Sequence, residues 1–373
     1  MNNYIKIFDK FIDTINWNLL KISTYKLNTD YLIASNHLKA LVYFHIAELK
    51  SLRDISDFME SNSDLKETIK GVSLASLSNY NNNIDFNVFI PVMQDIINRA
   101  MAHITVSERI KKLGSIKLID SSTVSMALTY FKWAEFRSTK AGIKLNAKFD
   151  LGKGIPETII ISNAKTHDIG KLDNLTRDTD CIYVFDKGYV DYKKFDILTN
   201  QNKKFVTRLK NNAVISDIEE LEISYSEEPL LDTDTQITSD KIVYLGNQYI
   251  NRTKERYRIV NITDSKGKEL IFVTNIFDLT SEEIAWLYKK RWEIELFFKW
   301  IKQNLKIKKF IGHSLNAVMI QIITAIITFI ILRLIQNEIS KPYGLLKIKR
   351  LIKYSLTKLL NPTKFSWEVW LSG

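Results

Sequence analysis

The chain has almost no cysteine. Cys181 is the single thiol in 373 residues, which excludes a disulfide framework and any zinc site built on cysteine pairs. Little at the start suggests secretion: MNNYIKIFDKF shows no basic-then-apolar pattern, so the chain is expected to stay in the cytoplasm. An uninterrupted membrane-length run is missing too. Residues 317–332, AVMIQIITAIITFIIL, fall short of the roughly 20 residues a span needs. Gln321, Thr324 and Thr328 interrupt that run and Arg333 ends it, so a helix buried on all sides against a sheet is expected there. No internal repeat is evident. Acid is in deficit: 42 Asp and Glu against 53 Lys and Arg give a net charge of +11, which favours a polyanionic partner, nucleic acid or a membrane surface. The length allows two or three domains, and 45% hydrophobic with 25% charged residues is ordinary for a soluble globular protein.

Taken in order, residues 1–110 read as helical, with apolar spacing in 4–20 and 37–49. Residues 51–60 and 73–82 form two short helices across a connection containing Gly71. The pair is compatible with a helix-turn-helix, although the connection is long for one, and equally with a plain helical bundle. At Lys117 the period changes to that of strands: 117–126, 144–151, 157–162, 181–185 and 204–209. Between them, His167-Asp168 opens a short helical run to Leu175, with Asp168 as N-cap; His167 is read as structural. Residues 211–240 hold nine acids and no Lys or Arg. Three strand-like runs follow (241–245, 257–262, 269–275), giving a β-rich insertion whose acidic edge points away from any DNA, or an exposed loop that serves only solubility. Thr280-Ser281-Glu282-Glu283 starts a helix, with a hydroxyl cap and acids in the first turn. Seven Lys or Arg and no acid lie between Glu338 and Glu368.

Residues 288–309, YKKRWEIELFFKWIKQNLKIKK, contain no helix breaker. Leu287, Ile294, Phe298, Ile301 and Leu305 share one helical face, which should be buried. Tyr288, Arg291, Glu295, Lys299, Lys302, Lys306 and Lys309 share a neighbouring face. That stripe is one carboxylate among many cations. It reads either as a solvated face with i, i+4 ion pairs or as an acid kept for a divalent metal.

Three acids suggest how to choose. Asp120 follows Leu118-Ile119 and Asp186 follows Val184-Phe185; singly, each is ordinary as a strand-end cap or turn residue. Side by side, the two strands would bring both carboxylates to the edge where open α/β sheets place their chemistry. Glu295, on a helix over that sheet, would complete an all-oxygen set suited to Mg²⁺ or Mn²⁺. Two such ions about 4 Å apart activate a water or a 3′-hydroxyl and steady the leaving oxygen of a phosphodiester.

Tyr288, Arg291, Glu295 and Lys302 stand as Tyr-x2-Arg-x3-Glu-x6-Lys. That spacing resembles the signature of the insertion-sequence-four group of DDE transposases. Asp120-Ser121-Ser122-Thr123 and Asp186-Lys187-Gly188-Tyr189 resemble the group's first and second acid motifs, and 272–277 (FVTNIF) and 310–316 (FIGHSLN) its flanks. The resemblance covers about residues 30–340. It implies an α/β fold: an RNase H-like mixed sheet flanked by helices, interrupted by a β-rich insertion, with a helical amino-terminal domain. The corresponding boundaries are 1–110 for the DNA-binding helical domain, 111–210 and 277–340 for the two parts of the core, 211–276 for the insertion and 341–373 for a basic tail. It further implies cut-and-paste transposition at the nucleoid of a prokaryotic cytoplasm. Nicking, a hairpin on the element end and strand transfer would act on double-stranded DNA, namely terminal inverted repeats and target, through a homodimer. In such enzymes Asp120, Asp186 and Glu295 hold two Mg²⁺, while Tyr288, Arg291 and Lys302 grip phosphates and a displaced base. Trp292 is large and flat enough to hold that base, or else packs in the core. Lys299, Lys306 and Lys309 extend the phosphate track. Competing readings are an RNase H-like nuclease that cuts without joining and an inactive DNA-binding relic.

Overall fold

The computed structural model describes residues 4–70, 73–164 and 169–372. His167 and Asp168, and the Gly71 of the amino-terminal connection, lie outside the described residues. The chain divides into two compact units, one made of Met1–Thr105, Val124–Gly142 and Phe297–Gly373, the other of Val106–Thr123 and Ile143–Leu296.

The first unit is helical. The 4–20 pattern is two helices, Ile7–Ile12 and Trp17–Lys26, because Asn16 accepts the Leu19 N–H and caps the second. Helices Leu52–Ser61 and Leu74–Asn83 form behind Ser51 and Ser73 caps, but a third, Ser63–Thr68, occupies the stretch between them. The connection is therefore no tight turn. Asn81, on the second of these helices, is buried and bonded to His37 Nε2 at 3.1 Å.

The apolar run at 317–332 is part of a longer helix, Leu315–Asn337, capped by Ser314. By length and composition it could cross a membrane, yet 83% of its most apolar window is buried within the protein. Its main neighbours are not strands, as expected, but the helices Tyr31–Ala47 and Ile90–His103. The polar residues along it have internal roles. Gln321 donates to Lys306 O and Lys309 O and accepts from Ile311 N, while Thr324 and Thr328 bond back to their own helix. Part of the basic 341–373 segment is likewise committed: Lys349 is fully buried and donates to Glu48 and Asn304 O, each at 2.7 Å.

The second unit carries most of a mixed sheet. Its strands are β1 (Ser115–Met126), β2 (Lys140–Asp150), β3 (Ile155–Asn163), β4 (Cys181–Phe185), β5 (Lys204–Arg208), β6 (Ile215–Leu221), β7 (Gln236–Leu245), β8 (Tyr257–Thr263) and β9 (Glu269–Thr274). The order is β3-β2-β1-β4-β5-β9-β8-β7-β6, with the short Glu135–Arg137 strand also on β2. β1, β4 and β5 run parallel, and β2 and β3 antiparallel. The 3-2-1-4-5 order is the expected RNase H-like arrangement. The insertion does not form a separate layer: β9 pairs antiparallel with β5, and β8, β7 and β6 continue the same sheet as a meander.

An aromatic cluster of Tyr183, Phe185, Phe195, Phe205 and Tyr257 fills one side of the sheet, with Phe195 and Phe205 centred 4.7 Å apart. Such large rings dominate core energetics through the area they bury. On the acidic stretch, Asp217, Glu219 and Glu220 pair with Arg252, Arg256 and Lys241, and Asp240 is fully buried. Acids expected on a bare edge are thus largely matched by cations of β7 and of the connection from β7 to β8.

Candidate active site at the ends of β1 and β4

The parallel register pairs Ile119 with Phe185, so the next residue on each strand is an aspartate: Asp120 on β1 and Asp186 just past β4. Only β4 ends there; β1 runs six residues further, to Met126. Asp120 is held partly by its own chain, accepting from Ser121 N at 2.8 Å.

The third acid arrives on a broken helix. Thr280 and Glu283 form the capping box that starts helix Ser281–Lys290, and Glu282 accepts from the backbone N–H groups of Ser226, Leu230 and Leu231, fastening that segment to the helix start. This helix packs on β4, β5, β8 and β9. The continuous helix expected over 288–309 is interrupted at Arg291, resumes as Trp292–Asn304, and stops there. Leu287, Ile294, Phe298, Ile301 and Leu305 are all buried, as their spacing predicts.

Tyr288 stacks on Phe272 at 4.6 Å and donates its hydroxyl to Asp186 Oδ1 at 3.3 Å. Burial pushes its phenol up to about 12, so the hydroxyl keeps its proton and remains a donor. Arg291 reaches both other acids: Nη1 donates to Asp120 Oδ2 at 3.2 Å and Nη2 to Glu295 Oε1 at 2.6 Å. Burial raises the Asp120 carboxyl to about 6; Asp186 and Glu295 push it the same way, against Ser121 N–H and Arg291. The three acids therefore share one electrostatic neighbourhood, with Arg291 as the cation inside it. Among the described residues, no three or more His, Cys, Asp or Glu side chains converge tightly enough to hold an ion as they stand.

Trp292 is 56% exposed, which removes the core-packing alternative. Lys299 is exposed, and Lys302 is half-buried and lowered by burial and by Lys308. Lys306 and Lys309 lie beyond the helix end, Lys306 at φ +59°, so they do not continue its stripe. They belong instead to the loop that Gln321 holds.

Sequence reasoning does not pick out the cleft beside Asp186. It measures about 530 Å³ and is bordered by Lys187, Lys210, Asn212, Asn247 and Asn251. Lys187, inside the Asp186-Lys187-Gly188-Tyr189 motif, is the one available signal. Phe272, the ring under Tyr288, lies inside the 272–277 flank, but nothing in its spacing marks it for a role.

Residues 111–331 match the family described as Transposase DDE domain. Among similar proteins are a probable transposase for insertion sequence element IS5377 of Geobacillus stearothermophilus (29% identity, 61% of this chain and 58% of that one) and the putative transposase y4zB of Sinorhizobium fredii (29%, 61% and 63%). A putative transposase for insertion sequence element IS4SA of Synechocystis is 29% identical over 66% of this chain and 68% of its own. The matches to the first two span under two thirds of those proteins' lengths. Among solved structures, a piggyBac transposase synaptic complex with hairpin DNA aligns at 13% identity and a TM-score of 0.47, covering 93% of this chain and 77% of that one.

Proposed function

Since the chain belongs to the DDE-domain transposase family, we propose that it moves an insertion sequence by cutting phosphodiesters at the element's ends and joining them to target DNA. The observation that carries this reading is the single neighbourhood of Asp120, Asp186 and Glu295, drawn from two parallel strands and the helix next to them.

The donor set fits a hard divalent ion. All three acids offer only oxygen, and Asp120 ionises against burial and two neighbouring carboxylates, a cost that a cation relieves. Asp120, Asp186 and Glu295 would hold Mg²⁺, in two ions, with Mn²⁺ as substitute. Bound there, the metal supplies activation of a water or 3′-hydroxyl and stabilisation of the leaving oxygen.

The remaining roles fall to the protein's own groups. Tyr288 fixes Asp186 through its hydroxyl while its ring is clamped on Phe272. Arg291 has the planar fork that suits phosphate oxygens, and Lys299 and Lys302 add point charges for the DNA backbone. Trp292 presents an exposed ring next to Arg291, suited to stacking a base that has left the duplex. Lys187 and Lys210 make the cleft beside Asp186 suitable for a strand leaving the site. The helical first unit and the basic 341–373 segment are assigned to end recognition. Two copies bring two ends together.

The test uses duplexes carrying the inverted repeats that flank the gene. The wild-type chain should nick and join them in Mg²⁺, and Glu295→Gln should bind them at least as well and do neither. Cleavage retained by Glu295→Gln removes Glu295 from the chemistry. Nicks without joined product reduce the activity to that of a nuclease.

A further inference from the structure

A guanidinium with two Nη atoms on two different carboxylates, at 3.2 and 2.6 Å, does what a bridging cation does. We infer that Arg291 is the resident cation of the acid cluster: in the free protein it takes up the carboxylate oxygens of Asp120 and Glu295 that a divalent ion needs, and so competes with that ion for the site. The inference rests on the reading that Asp120, Asp186 and Glu295 hold the metal.

Three observations support the competition. Arg291 is the cation that pairs with both Asp120 and Glu295, and Asp186 takes its hydrogen bond from the neutral Tyr288. As the acids stand, they do not form an ion-holding group, which is the arrangement expected when a flat fork and not a sphere organises them. The fork is also incompletely satisfied, because Arg291 Nε is buried without an acceptor. A phosphate offers more oxygens at a better angle to a planar fork than two separate carboxylates do. DNA arriving at the site therefore gives Arg291 another partner and frees two acids for the ion, which ties metal loading to DNA binding.

The experiment is a Mn²⁺ titration of the full chain without DNA, followed by the electron paramagnetic resonance signal of free Mn²⁺. The wild type is compared with Arg291→Ala, Arg291→Lys, Glu295→Gln and the double variant Arg291→Ala/Glu295→Gln. Arg291→Ala should bind Mn²⁺ at least about tenfold more tightly than wild type, the scale of taking one charge-assisted hydrogen bond away from the competitor. The double variant should lose that gain. If Arg291→Ala shows no gain while Glu295→Gln still weakens binding, the metal site stands and the competition is overturned. If Glu295→Gln changes nothing in either background, the metal reading itself has failed. Should circular dichroism show Arg291→Ala unfolded, Arg291→Lys decides: a point charge cannot bridge both acids, so a smaller gain supports the competition and no gain overturns it.

Discussion

Ile119 and Phe185 are the last paired residues of two parallel strands, and each is followed by an aspartate, so the ladder itself sets Asp120 beside Asp186. If both carboxylates serve one reaction, neither is dispensable. Asp120→Asn and Asp186→Asn should each lower Mg²⁺-dependent nicking by at least about a thousandfold, the scale of losing a main electrostatic contributor. Gel-shift affinity for the same duplex should not fall. A variant that still nicks within about tenfold of wild type would place its aspartate outside the chemistry.

Tyr288 joins packing to the site. Its ring lies on Phe272 and its hydroxyl on Asp186, and the two contributions separate by substitution. Tyr288→Phe keeps the stack and should cost about 1 kcal/mol in urea unfolding, the net worth of one hydrogen bond. Tyr288→Ala empties a buried ring site and should cost about 3–5 kcal/mol. Equal losses in the two variants would mean that the stack on Phe272 contributes little.

Much of this is legible from the chain alone. The β-branched runs at 117–126 and 181–185 announce the strands that carry Asp120 and lead to Asp186, and Thr280 with Glu283 announces the helix start, because a capping box is a local motif that carries its own hydrogen bonds. The insertion-sequence-four resemblance, carried by Tyr288, Arg291, Glu295 and Lys302, agrees with the family match. What stays hidden is non-local. The break at Arg291 has no Gly or Pro to announce it, and the helix end at Asn304 precedes a left-handed Lys306 that no propensity predicts. The apolar 317–332 run points to a sheet only by default, because its composition says that it is buried and not by what. The charged stripe reads either as i, i+4 ion pairs or as an acid kept for a metal; Arg291, four residues before Glu295, makes the ion pair, and its second bond to Asp120 is what the helical spacing does not reveal.

Asp240 is one of nine acids in a stretch expected to form an exposed edge, yet it is the centre of a buried clamp. Arg258 donates Nε and Nη2 to its two oxygens at 3.0 and 2.7 Å, and Ser281 Oγ donates at 2.6 Å, which ties β7 and β8 to the start of the Ser281–Lys290 helix. Removing one member of a buried pair strands the other charge, so Asp240→Asn should destabilise by about 3–5 kcal/mol. Asp240→Leu/Arg258→Met, which removes both charges, should recover part of that loss. Urea midpoints for the two variants measure it, and a cost below about 1 kcal/mol for Asp240→Asn would mean that Arg258 finds water or another acceptor.

His45 sets an acid limit on the first unit. Fully buried, its Nδ1–H donates to Leu305 O at 2.7 Å, and its Nε2 lies 3.0 Å from Thr324 Oγ1. Burial lowers it to about 3, against Leu305 O, and lowers His37, also buried, to about 4. A histidine depressed in the folded state leaves the unfolded chain binding more protons below its ordinary value near 6.5. Its contribution is therefore present above that pH and is lost as pH falls toward the folded value. Between about pH 7 and pH 5 each of these histidines should remove about 2 kcal/mol of unfolding free energy. His45→Gln, which keeps a donor and an acceptor but does not titrate, should take about 2 kcal/mol out of the stability difference between the two pH values in urea titrations. An unchanged difference would mean that His45 gains its proton without unfolding, through an opening that lets water reach Thr324.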